Sequence, residues 1–310
     1  MSNYRLQNVS RINNQMELVW FLKEVMLYTS TVDGEVYKID AETQTETLIY
    51  QDPNPNARLY NIAIDPDNYI YIASSNFETI KIDHKGNVVW IFSQHASVPD
   101  GVAVDDNGYV YSGDRDDDLY KITPDGQTEW VYNHTNGINT TFVDTNYNIY
   151  IGDDNGDITK FNSNGNKLWD YPMGDTVYDL TVDLNGNVYA NNRLQEIHKI
   201  NNNGSNLWEY NNYTSIPRHI AIDNNGSVYT SEDDNIVHKI DSNGNNIWTY
   251  DTGDTARGVT VDQDYNVYTT NTDFIYKIDL NGDLVWEKSL TGSFLKIKAY
   301  PGDYGAGFWN

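Results

Sequence analysis

The chain has no cysteine at all. That excludes a disulfide framework and any thiol chemistry, and it leaves the redox compartment open. No stretch of 18 consecutive apolar residues occurs, so no helix of membrane-spanning length is encoded. The first residues, MSNYRLQNVSRINNQ, lack the basic-then-apolar pattern of a cleaved secretion signal. Basic residues are scarce, 20 Lys and Arg against 45 Asp and Glu, for a net charge of -25. A field of that sign repels nucleic acid and anionic membranes, and it suits high salt, divalent cations or a basic partner. No Ser-His-Asp order, Gly-rich phosphate loop or HExxH motif appears.

What the chain has is repetition. Residues 101–132, GVAVDDNGYVYSGDRDDDLYKITPDGQTEWVY, hold four short apolar runs separated by Asn/Asp/Gly turns. Such runs read as consecutive β-hairpins. The Tyr of the second run recurs at Tyr28, Tyr71, Tyr111, Tyr150, Tyr189, Tyr229 and Tyr268. The Lys of the third recurs at Lys38, Lys81, Lys121, Lys160, Lys199, Lys239 and Lys277. Nine residues after six of those Lys stands a Trp, at Trp90, Trp130, Trp169, Trp208, Trp248 and Trp286. An Asp closes the first run at Asp65, Asp105, Asp144, Asp183, Asp223 and Asp262. Four markers in one phase, about 40 residues apart, with four strands per unit, predict the blades of a β-propeller.

The reading is therefore an all-β chain forming a single propeller of seven four-stranded blades, the alternative being eight blades with one shared between the termini. Residues 1–16 read as an N-terminal extension and 17–290 as the propeller. Residues 291–310 read as a terminal strand and aromatic tail that closes the seam or docks onto a partner. The run ELVWFL at 17–22 is predicted to start blade one, which lacks both the Asp and the Trp marker. The repeated residues are structural: the aromatics pack blade on blade, and the Asp accepts turn N–H groups.

The strings VDDNGYVY (104–111), VDLNGNVY (182–189) and IDNNGSVY (222–229), each followed by a KI strand and a Gly turn before Trp, resemble the repeats of PQQ-like and NHL-like β-propellers. The resemblance covers about residues 17–290. It implies the fold firmly and leaves function open, because such propellers include quinoprotein dehydrogenases, lyases, assembly scaffolds and virus or phage surface modules. Quinoproteins carry a vicinal disulfide beside the cofactor, and this cysteine-free chain departs from them there, so no PQQ is implied.

In a propeller, ligands meet the loops at one mouth of the channel. Just ahead of the predicted first strands stand Tyr60, Asp100, Asn139, Tyr178, Arg218 and Arg257, followed by His219. Unlike the blade markers they do not repeat, which makes them the candidate binding ring. The loops joining second to third strands are acidic. Asp114, Asp116 and Asp118, with Asp153, Asp154 and Asp157, are candidate Ca²⁺ ligands, since that ion takes six to eight oxygens; the alternative is solvated surface charge. His95 and His134 fall in equivalent loops, as acid–base candidates with Asp100 or as surface histidines. Tyr300, Tyr304, Phe308 and Trp309 in the tail are candidate docking residues.

Together these features predict a non-catalytic interaction module without a resident cofactor. It would be a virus or phage structural protein (tail, spike or capsid-attached) or an adhesin, meeting proteins of a larger assembly, a glycan or a host surface receptor. Its place would be the virion or extracellular surface, with the cytoplasm as alternative. The competing class is a metal-dependent lyase or lactonase with its site at the channel mouth.

Overall fold

The structure, a computed structural model, describes residues 9–12, 15–18, 24–290 and 292–300. Among these there is no helix, and hence none long and apolar enough to cross a membrane. Seven four-stranded antiparallel sheets form the seven blades. In blades two to seven the strands follow chain order from the inside outwards. Their innermost strands are Leu59–Ile64, Pro99–Val104, Ile138–Val143, Val177–Val182, Pro217–Ile222 and Val259–Val261.

Blade one is assembled differently. Its innermost strand is Phe294–Tyr300, which pairs with Met26–Thr31 in the register Leu27↔Ala299 and Thr29↔Ile297. Glu35–Asp40 and Glu46–Gln51 complete the sheet. The expectation that residues 17–22 start this blade is thus corrected. Gln15–Leu18 instead pairs with Val9–Ile12 in a separate two-stranded hairpin, and residues 19–23 lie outside the described residues. Phe294, Ile297 and Ala299 are buried, supplying the apolar face that a first strand needs. Using a strand from the far end of the chain joins the two ends of the ring, so no inner blade edge is left unpaired.

The apolar core is not inside blades but between them. Each of seven buried clusters combines residues of two neighbouring blades, for example Tyr150 and Ile158 with Leu180 and Val182. The repeat markers explain themselves there. All seven Tyr are fully buried. A buried phenol needs a partner, and in six blades its hydroxyl donates to the Asp six residues earlier, as Tyr71 to Asp65 at 2.8 Å. The other oxygen of that Asp accepts turn N–H groups, those of Asn107 and Tyr109 for Asp105. Burial and the adjacent carboxylate push these phenols far above their usual range, so the proton stays on the tyrosine.

The nine-residue Lys–Trp spacing is a cross-strand pair, Lys121↔Trp130 and its equivalents. In three blades both members donate to one turn carbonyl of the next blade: Lys160 and Trp169 to Asn202, Lys199 and Trp208 to Ser242, Lys239 and Trp248 to Leu280. In six blades the Lys also lies over the ring of its Tyr, as Lys199 over Tyr189 at 5.0 Å. Blade one lacks the Asp, and Tyr28 donates instead to Asn68 of blade two at 3.0 Å. It lacks the Trp as well, and the Ile49 backbone fills that place. It comes so close to Gly86 of the next blade that a Cβ there would collide with the Ile49 carbonyl.

Candidate functional site

The turns between first and second strands lie at one end of the ring. The loops leading into first strands, and those joining second to third strands, lie at the other. At this second end the backbone departs from regular pairing in a repeated way. In five blades the ladder between first and second strand slips by one residue, between Leu59 and Asn61, Pro99 and Gly101, Ile138 and Thr140, Val177 and Asp179, and Pro217 and His219. The unpaired residues are Tyr60, Asp100, Asn139, Tyr178 and Arg218. A bulge frees a residue from the ladder and re-aims its side chain, and bulges concentrate beside functional sites. Arg257 holds the corresponding place in blade seven.

These six residues and His219 line one cavity of about 360 Å³ over the channel. The structure thus brings together every residue of the sequence-derived ring. It adds Arg115, Asp179, Asp233 and Lys296, none of which belonged to that ring. A spacing of 15 residues was the available signal for two of them. Arg115 Nε and Nη2 reach Asp100 at 2.5 and 3.1 Å, and Arg218 grips Asp233 with Nε at 2.9 and Nη2 at 2.7 Å. Asn139 donates to Asp154 at 2.9 Å across the same spacing. The guanidinium of Arg115 lies 5.2 Å from the Tyr60 ring, and that of Arg218 4.4 Å from the Tyr178 ring. Burial pushes the Asp100 carboxyl up, against the pull of Arg115.

Lys296 comes from the closing strand of blade one and reaches across the mouth to Asp179 of blade five, Nζ to Oδ2 at 2.6 Å. Both side chains are buried. Thr140 Oγ1 and the Leu180 N–H also donate to Asp179, each at 3.1 Å. Burial works to raise the Asp179 pKa, but the Lys296 ammonium holds the carboxyl well below the usual carboxylate range. Below this layer the channel narrows among Ala63, Ala103 and Thr181, with the larger Phe142 on its wall.

His95 and His134 are not surface residues, nor do they reach Asp100. His95 is buried and His134 is largely covered, each between blades. His95 Nδ1 lies 3.3 Å from Asp114 and its Nε2 2.9 Å from Thr79 Oγ1, while His134 Nε2 lies 2.9 Å from Asp153. They fasten the loops of adjacent blades.

Most of the acidic-loop carboxylates are engaged by protein donors. Asp114 Oδ1 accepts the N–H groups of Asp116 and Asp118. Asp153 accepts from Asp157 N–H and from Asn136. Asn133 donates to Asp118, and Asn155 to Asp157. Asp116 is exposed. Among the described residues no three His, Asp or Glu converge in a metal-binding group. Tyr300 sits in the closing strand, its hydroxyl donating to the Pro66 carbonyl at 2.8 Å. Tyr304, Phe308 and Trp309 lie outside the described residues.

Comparison with known proteins agrees with this architecture. The family model described as outer membrane protein assembly factor BamB matches residues 76–214 and 193–299, well over half of the chain. No curated protein matches it.

Proposed function

The chain belongs to this PQQ-like repeat propeller family, and from that premise we propose that it is a non-catalytic binding module whose ligand face is the channel mouth. One observation carries the reading: a ring of non-repeating residues stands at a repeated backbone bulge. Where the frame recurs and only the side chains at one position differ, those side chains serve something outside the frame. The cavity falls within the size range of small-molecule sites, about 300–1,000 Å³. Tyr60 and Tyr178 supply large, rigid contact area at low entropic cost.

The setting we favour is a larger assembly that presents the mouth outward, as a virus or phage tail, spike or capsid-attached protein or an adhesin would. The family description itself names an assembly factor. Protein and glycan arrays probed with the native chain and with a Tyr60→Ala/Tyr178→Ala variant test the reading. Binding at least tenfold weaker in the variant, at unchanged melting temperature, supports it. Binding that ignores the substitutions overturns it. So does a stoichiometric Mn²⁺ or Ca²⁺ ion in the channel accompanied by turnover of a lactone or polysaccharide, which would establish the metal-dependent enzyme instead.

A further inference from the structure

Three of the four cations at the mouth have a carboxylate each. Arg115 has Asp100, Arg218 has Asp233 and Lys296 has Asp179. Among the described residues Arg257 has none within ion-pair distance. It stands in blade seven where Arg218 stands in blade six, but the residue 15 positions on is Thr272, in the place of Asp233. Its Nε is buried without a hydrogen-bond partner. Asp254, exposed on the preceding loop, feels the Arg257 charge, but its carboxylate is engaged by Thr272 and by the Thr255 N–H at 2.7 Å. A buried donor left unmade costs about 1–3 kcal/mol, more when it is charged. The site carries that cost unless something supplies an acceptor.

A second donor lines the same cavity. The Ser231 hydroxyl donates to the Arg257 carbonyl, and Ser231 is the cross-strand partner of His219, so the Arg257 backbone is fastened to the strand pair that carries that histidine. The Lys296 ammonium lies 3.0 Å from His219 Nδ1. Asp179 Oδ2 also lies 3.3 Å from this Nδ1, but the Lys296 ammonium is closer and already donates to that oxygen at 2.6 Å. An ammonium only donates, so the shorter contact favours Nδ1 as acceptor, with the proton of the neutral ring on Nε2. Burial and Lys296 hold the His219 pKa down to about 4, which keeps the ring neutral at pH 7. Among the described residues Nε2 has no partner, and the ring lines the same cavity.

We propose that Arg257 and His219 form a carboxylate-recognition site for an acidic sugar unit, an inference that rests on the mouth being the ligand face. A guanidinium fork and an N–H donor lining one cavity are the donor types that a carboxylate takes. The rest of the cavity offers Tyr60, Tyr178, Asn61 and Asn139, flat rings and amides suited to the hydroxylated body of a sugar. A cavity of about 360 Å³ has room for one or two sugar units, whereas an extended peptide needs a groove or a sheet edge. With a net charge of -25 the molecule repels densely charged polyanions at long range, so a ligand with one carboxylate on a neutral body is favoured.

The test is an array of glucuronate- and galacturonate-containing oligosaccharides with their carboxyl-reduced counterparts and glutamate-containing peptides. It is probed at physiological salt with the native chain, with Arg257→Gln and with the Tyr60→Ala/Tyr178→Ala variant. The expected result is binding of acidic oligosaccharides that falls at least tenfold on carboxyl reduction and at least tenfold in Arg257→Gln, at unchanged melting temperature. Equal binding after reduction, full binding by Arg257→Gln, peptide capture in place of sugar, or no acidic sugar bound overturns the carboxylate assignment. If the tyrosine variant binds in full while Arg257→Gln does not, the mouth reading as tested through its tyrosines is overturned and the carboxylate assignment at Arg257 stands. If only the tyrosine variant loses binding, the mouth reading stands and the carboxylate assignment falls.

Discussion

The blade seams and the channel mouth are built on the same sevenfold frame and follow opposite rules. Along the seams one arrangement recurs, a Tyr donating to an Asp and a Lys–Trp pair reaching the next blade's turn. At the mouth the equivalent positions hold Tyr, Asp, Asn, Tyr, Arg and Arg, and even their pairing changes sense: Asp100 accepts from Arg115, whereas Arg218 donates to Asp233. The seam must solve one problem seven times, satisfying a buried phenol while packing two sheets face to face. The mouth faces open space, and geometry imposes no single answer there. Lys296 and Asp179 are the exception, mouth residues that also tie opposite sides of the ring.

That exception gives the largest expected effect. Lys296→Met strands a buried carboxylate and should cost about 3–5 kcal/mol of unfolding free energy in urea titrations, most of it recovered in Lys296→Met/Asp179→Leu. Recovery that fails to appear would mean that Lys296 acts through something other than this pair. The same group sets an acid limit. The Asp179 pKa is depressed in the fold, so its contribution is complete above its unfolded value of about 3.9 and fades as pH falls below it. His219, half-buried at the mouth and neutral with a pKa of about 4, takes up a proton more readily when unfolded. Its contribution is therefore complete above about pH 6.5 and fades between there and pH 4. His219→Gln should flatten that upper part of the melting-temperature profile and leave the lower part.

The seams give the next effect. Tyr111→Phe leaves the buried Asp105 without its phenol donor and should cost about 1–3 kcal/mol, while Tyr28→Phe, whose acceptor is the neutral Asn68, should cost about 1 kcal/mol. Equal losses would show that the carboxylate confers nothing a neutral acceptor cannot.

Smaller still is the turn after the first strand, whose fourth residue is left-handed. It is Gly108 (φ 81°) in blade three but Tyr147 (φ 61°) in blade four. Gly108→Ala should cost about 1 kcal/mol through backbone strain alone, since a Cβ there meets nothing closer than 3.6 Å. Tyr147→Gly relieves the same strain but loosens the unfolded chain, for a net change within about 0.5 kcal/mol. Arg218→Lys is of the same small order. Its pair with Asp233 is about one-third exposed on each side, so stability should move by no more than about 1 kcal/mol. A larger drop would make the mouth part of the scaffold rather than an addition to it.

The repeat was legible because its residues answer to local geometry. Asp65 and Tyr71 lie on one hairpin six residues apart, and Lys121 and Trp130 on the next, so their spacing survives in the one-dimensional chain. The mouth ring was legible for the converse reason, as variation at a fixed phase. The misplaced start of blade one was not. ELVWFL and FLKIKAY are both apolar runs, and nothing in either says which one pairs with Met26–Thr31 across some 270 residues of chain. His95 and His134 read as surface because their loops are polar, yet each is closed over by the neighbouring blade.

Sequence alone therefore determined the blade, its number and the face where the side chains diverge, because hairpin chemistry acts over a few residues and the repeat states it up to seven times. Only the tertiary structure decided how the ring closes and what meets at its mouth. Phe294–Tyr300 becomes the inner strand of blade one, Lys296 crosses to Asp179, and Arg257 is left without an ion-pair partner among the described residues. These depend on residues brought together by seven small rotations of one blade against the next, a sum that no local spacing records.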